Sequence, residues 1–181
     1  MKRSLIIALL SLIGFANIAR AEQASGPGAG KRLEALKLFV ATGDLADKEV
    51  EFIAERKEKP TVYVFVPAEK FSRPMARFVK ALDEKLHAER TDIDIIVVWL
   101  TDDVTKVKER LPRVQESLKL NRTVWCVYLG EKTGPDTWGI NPDADLTLVI
   151  ADGLKSTVSR SYLSINETDT PKVFAELPAK K

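Results

Sequence analysis

The chain is poor in sulfur and imidazole. Its 181 residues include one cysteine, Cys126, and one histidine, His87. A lone cysteine excludes an internal disulfide, so stability must come from the core alone. A lone histidine with no cysteine beside it leaves a zinc site almost nothing to build from, and His87 reads as a surface residue of a helix. The acidic groups Asp102-Asp103 and Asp143-Asp145 lack the glycine and terminal glutamate of a calcium loop. They read as helix capping and turn chemistry, and no metal or cofactor is expected. Beyond the first 21 residues there is no apolar run approaching the roughly 20 residues of a membrane span. A basic stripe is also missing. The formal charge is +2, but three basic residues (Lys2, Arg3 and Arg20) lie in the N-terminal segment, leaving 25 basic against 26 acidic in the remainder. Interspersed charge near neutrality offers no footprint for nucleic acid.

What is present at the N-terminus has the three parts of a secretory signal. Lys2 and Arg3 precede the apolar run Leu5 to Phe15, and Ala19-Arg20-Ala21 supplies the small-x-small cleavage pattern. Residues 1–21 are therefore expected to be a signal peptide, and the product a periplasmic or secreted protein with no stable membrane anchor after cleavage. The residue directly after the cleavage site is Glu22 and not a cysteine, so a lipoprotein anchor is not expected. Residues 22–34 are small and Gly-rich and read as a flexible linker. Residues 35–181 are expected to form one domain, with 35–60 as its N-terminal extension.

Within that domain Leu36 to Val40 suits a strand or a helical turn equally. Asp47 is placed to cap a helix over Lys48 to Lys57. Thr61 to Val66 is β-branched and aromatic throughout, as in a strand buried on both faces. After Pro74, apolar residues at Met75, Phe78, Val79, Leu82 and Leu86 mark one face of a helix. Ile93 to Leu100 is a second buried strand. Asp102 and Asp103 then precede a helix with Val104, Val107 and Leu111 inward, which Pro112 is expected to kink or split. Thr123 to Leu129 is a third strand, followed by a turn-rich stretch from Gly130 to Asp145. Leu146 to Ala151 and Ser156 to Tyr162 flank Asp152-Gly153 as a hairpin, and Thr168 to Leu177 suits a last helix. Alternating strands and helices followed by a hairpin predict an α/β fold, a central mixed sheet flanked by helices.

This order resembles the thioredoxin fold, in particular its redoxin branch, which includes the peroxiredoxins. The resemblance runs from Thr61 to Tyr162. Where the family carries Trp-Cys-Gly-Pro-Cys, this chain has Phe71-Ser72-Arg73-Pro74-Met75. Trp138-Gly139-Ile140 is similar to the Tyr-Gly-Val before the family's cis-proline strand, and Leu146 to Gly153 to the strand and turn ending in Asp-Gly. Counted back from Asp152-Gly153, the cis-proline position falls on Asp145, with Pro142 three residues early.

The departures decide the chemistry. In the family a cysteine thiolate is stabilised at the helix N-terminus, and Ser72 cannot take its place because an alcohol is barely ionised near neutrality. Met75 has no proton to lose. The peroxiredoxin pattern fails as well: with Pro67 as its proline, Phe71 stands at the threonine and Pro74 at the cysteine. The expectation is an exported, redox-inactive thioredoxin-like protein without catalytic residues. Its rim at Phe71, Ser72, Arg73, Pro74, Met75 and Asp145 would bind a protein, a peptide or a small anion, with Arg73 at the helix start as the anion's partner. The alternative is a thiol-dependent oxidoreductase or peroxidase using Cys126, which sits mid-strand among apolar neighbours.

Overall fold

The computed structural model describes residues 24–180; the expected signal peptide lies outside them. Strand β1 (Lys37–Val40) pairs with β2 (Glu49–Glu51), and a short helix α1 (Phe52–Arg56) follows. Then come β3 (Thr61–Pro67), α2 (Arg73–Glu89), β4 (Asp94–Leu100), α3 (Val104–Leu118) and β5 (Thr123–Tyr128). A 3-10 turn at Asp136–Trp138 leads to β6 (Leu146–Asp152), β7 (Lys155–Tyr162) and α4 (Thr170–Ala175). The seven strands form one sheet in the order β2-β1-β5-β4-β3-β6-β7. Strands β3, β4 and β5 are mutually parallel, while β1 and β6 join them antiparallel. The mixed α/β sheet expected from the sequence is therefore present.

Side-chain alternation along the central strands divides the core into two layers. Val62, Val64 and Val66 of β3 join Trp99 of β4 and Trp125 of β5 under α2, α3 and α4. Tyr63 and Phe65 point to the other face, with Val98, Cys126, Phe52 and Trp138. Both layers are buried, which is why these strands read as continuous apolar runs rather than alternating ones.

Three local expectations are corrected. The segment after Asp47 begins as a strand, because Val50 pairs with Leu38 across an antiparallel ladder and tertiary pairing outweighs helical periodicity. Asp47 lies in the turn with a positive φ of 64°, and the cap of α1 is Glu51, whose carboxylate accepts from the N–H groups of Ile53 and Ala54. Pro112 sits inside one continuous helix α3, on its exposed side, while Val107 and Leu111 are buried. Of the undecided Leu36–Val40 segment, Lys37–Val40 is a strand.

The Gly-rich stretch, expected from composition to be a linker, is held along β6 and β7. The Gly26 N–H donates to the Gly139 carbonyl (3.0 Å), the Gly30 N–H to Ser156 (2.7 Å) and the Leu33 N–H to Leu154 (2.9 Å). Gly26 has φ 84°, and a Cβ there would lie 3.0 Å from the Val149 methyl. A bare backbone is what lets the strap lie so close. No helix among the described residues is long and apolar enough to cross a membrane.

Candidate functional site

In an open sheet with parallel strands, ligands gather beyond the strands' carboxyl ends. Here that end is formed by Pro67, Leu100, the start of α2 and the loop before β6. Pro67 stops β3, and Ser72 takes an extended conformation (φ −120°, ψ 165°) as the N-cap of α2. Its hydroxyl makes no capping bond. Arg73 opens the helix and Pro74 follows, where a missing N–H costs nothing. The first turn holds no acidic residue, so Arg73 adds positive charge to the positive end of the helix dipole.

Of the six rim residues expected from sequence, Ser72 and Arg73 are exposed, and Arg73 forms no ion pair among the described residues. Pro74 is half-buried. Phe71 is half-buried too, and its ring packs on Trp99 (5.1 Å between centroids) and edge-on to Trp125 (5.6 Å). Met75 turns inward and belongs to the core beneath α2. Asp145 is half-buried at the start of β6, and its backbone N–H donates to Tyr162 O (2.9 Å).

The residue that joins these parts is Lys70, which sequence reasoning passed over. Its ammonium donates to the carbonyls of Asp143 (3.0 Å), Ala144 (3.2 Å) and Pro142 (3.4 Å), and pairs with the Asp145 carboxylate at 3.2 Å. One cation thus ties the segment before α2 to the loop before β6. Pro142, like every described residue, follows a trans peptide bond. Beside this tie lies a cavity of about 180 Å³ bounded by Phe65, Glu69, Lys132, Ile140, Asn141 and Thr147.

Cys126 is placed elsewhere. It is fully buried in β5 and belongs to the layer with Leu38, Phe52 and Tyr63, across the sheet from Met75 and Phe78. Burial pushes its thiol well above the usual range, so the neutral form prevails. The environment lacks the exposure and positive charge that make a cysteine reactive. No group of three or more metal-ligating side chains gathers among the described residues. His87 is exposed on α2, as expected.

The fold is shared with solved structures. A peroxiredoxin-like protein from Aquifex aeolicus superposes with a TM-score of 0.57 at 15% identity, over 85% of this chain and 90% of that one. BsSco, a member of the Sco family of cytochrome c oxidase assembly proteins, gives 0.60 at 13% identity, over 84% and 95%. A thiol peroxidase from Chromobacterium violaceum gives 0.57 at 11%, over 86% and 89%. The fold is thioredoxin-like. At these identities the likeness concerns architecture and not activity. Neither a protein-family model nor a curated protein sequence matches the chain.

On this thioredoxin-like scaffold, the tip of α2 carries Ser72. The remaining chemistry at the rim consists of a free guanidinium, a pinned loop and an aromatic cluster.

Proposed function

We propose that this is a redox-inactive thioredoxin-like binding module, exported to the periplasm or secreted, which holds a protein, peptide or small anion at the rim between α2 and the loop before β6. The observation that carries this reading is the separation of the thiol from the helix tip. Ser72 occupies the N-cap of α2, while the only cysteine is buried in the opposite layer of the core. Electron exchange with another protein needs a thiolate that can reach a partner's disulfide. Peroxide reduction needs the same thiolate open to solvent.

Recognition at the rim relies on Arg73, an exposed guanidinium at a helix start, and on the shallow cavity behind Lys70. The test has two parts. Insulin reduction and peroxide consumption are measured for the wild type and Cys126→Ser, and both proteins are expected to be inactive. Activity that vanishes with the serine would overturn the redox-inactive reading. Titration with candidate anions and peptides, comparing the wild type with Arg73→Ala, addresses binding; equal and negligible binding by both removes the role given to Arg73.

A further inference from the structure

At the opposite end of the sheet, where β3 and β4 begin, lies a larger cleft of about 910 Å³. The geometry points to this cleft as a second ligand site, one that takes the carboxylate or phosphate head of a small organic molecule through Arg56 and Arg122. It is independent of the rim at α2 and does not rest on the function proposed for that rim.

Two features of the cleft support this. The first is a pair of guanidiniums already fixed in place. Arg56 is only 12% exposed and Arg122 only 23%, and both form ion pairs with the one carboxylate of Asp94 between them. Arg56 Nε donates to Thr61 Oγ1 (2.9 Å) and its Nη2 to the Pro60 carbonyl (3.3 Å). Arg122 Nε donates to the Ile93 carbonyl (3.2 Å) and its Nη2 to Thr91 (2.6 Å). Asp94 cancels one charge and leaves one. Nη1 of Arg122 has no partner among the described residues, so two N–H donors remain on a group whose rotamer freedom is already spent. Each of these two hydrogens, both on one nitrogen of a fixed cation, can donate a charge-assisted bond to an oxygen of a carboxylate or a phosphate.

The second feature is the backbone of Lys57. It closes α1 at φ 49°, ψ −113°, a conformation natural to glycine and strained for a side-chain-bearing residue. A lysine held in that conformation stands at the margin of the cleft. Lys59 and Lys180 also line it, exposed and without ion pairs among the described residues. The acidic residues of the margin are Glu55, Glu58 and Asp92, and Asp92 is taken up by Arg90 at 2.9 Å. The cleft is far larger than a lone oxyanion, so the anion is the head of a larger molecule whose body lies along α1 and the start of β4.

The experiment is a ¹⁵N–¹H NMR titration of the chain lacking residues 1–21 with inorganic phosphate and, separately, with citrate. The two probes distinguish a phosphate head from a carboxylate head. Saturable shifts are expected, confined to residues 55–60, 91–94 and 121–123. Arg122→Gln should weaken the response roughly tenfold, and Lys57→Gly should weaken it while raising the thermal midpoint, because strain and ligand contact reside in the same residue. A purely structural ion triad would lower the midpoint in Arg122→Gln, with neither anion giving a saturable shift in the wild type. That result overturns the proposal, as does an Arg122→Gln protein that still folds and binds phosphate or citrate as the wild type does.

Discussion

Lys70 and Asp145 meet across the rim, ammonium to carboxylate at 3.2 Å, although 75 positions separate them in the chain. The same ammonium takes three successive carbonyls from residues 142–144. This side chain adds to the loop's own turn bonds, in which Asn141 Oδ1 accepts from the Asp143 N–H (2.9 Å) and the Asn141 carbonyl from the Ala144 N–H (3.2 Å). The Lys70 side chain is 30% exposed, so solvent weakens each contact. Lys70→Met is expected to cost about 1 kcal/mol in chemical denaturation. Amide exchange should quicken over residues 141–145 and stay unchanged in α2. Unchanged exchange in the loop would show that the cation does not hold it.

Cys126 gives a prediction with a definite sign. Its thiol ionises at higher pH in the folded state than in the unfolded chain, because burial opposes the thiolate. Stability from this group is complete below the unfolded thiol's ordinary value of about 8.5 and falls as pH rises beyond it, by up to about 1.4 kcal/mol per pH unit until the folded value is reached. Denaturation midpoints of the wild type should therefore decline more steeply above that pH than those of Cys126→Ala. Tyr63, also raised by burial, is common to both proteins and drops out of the difference. The native thiol should resist a soluble disulfide reagent and react once denaturant is added. Parallel alkaline profiles would place the thiol in water.

These two residues also mark what was legible in the sequence. The run Thr61 to Val66 and the spacing of Met75, Phe78, Val79, Leu82 and Leu86 fix β3 and α2, because burial of both strand faces and of one helix face leaves a local pattern. The absence of a thiol at Ser72 is legible in the same way. Lys70 is not, because its partners are mostly backbone carbonyls, which carry no residue-type signal. Strand β2 is not, because three residues become a strand only when Leu38 lies beside Val50. Arg56, Asp94 and Arg122 look like ordinary surface charges until the chain brings them to one cleft. Met75 stands at the register of the family's second cysteine and also on the apolar face of α2, and in the structure it lies in the core with Phe78 and Val79.

Pro112 lies within α3 without breaking it. A proline there removes one N–H donor and crowds the carbonyl one turn earlier, that of Lys108. Since residue 112 is on the exposed side, an alanine would restore the bond without disturbing Val107 or Leu111. Pro112→Ala should raise the unfolding free energy by about 1 kcal/mol, the helical gain being offset in part by a freer unfolded chain. A loss of stability on denaturant titration would mean that the proline shapes the α3 packing.

Asp83 offers the sharpest test of how α2 is fixed to the sheet. It is fully buried on the helix, yet it is a carboxylate. Its Oδ2 accepts from the Arg122 N–H (2.7 Å) and the Thr123 hydroxyl (2.7 Å), and its Oδ1 from the Asn121 N–H (2.9 Å). These donors belong to the turn entering β5 and to the first residue of that strand. Asp83→Ala leaves one buried donor, the Thr123 hydroxyl, and two partly buried N–H groups without their acceptor and should cost roughly 2 kcal/mol. Asp83→Asn keeps one carbonyl acceptor but directs an amide NH₂ at another donor, so it should recover only part of that loss. Because Arg122 follows directly from this turn, the alanine variant should also loosen the Arg122–Asp94 pair at the cleft, visible as broadening of the Arg122 Nε signal. A variant as stable as the wild type would mean that water replaces the carboxylate and that the turn, not the helix, sets the position of β5.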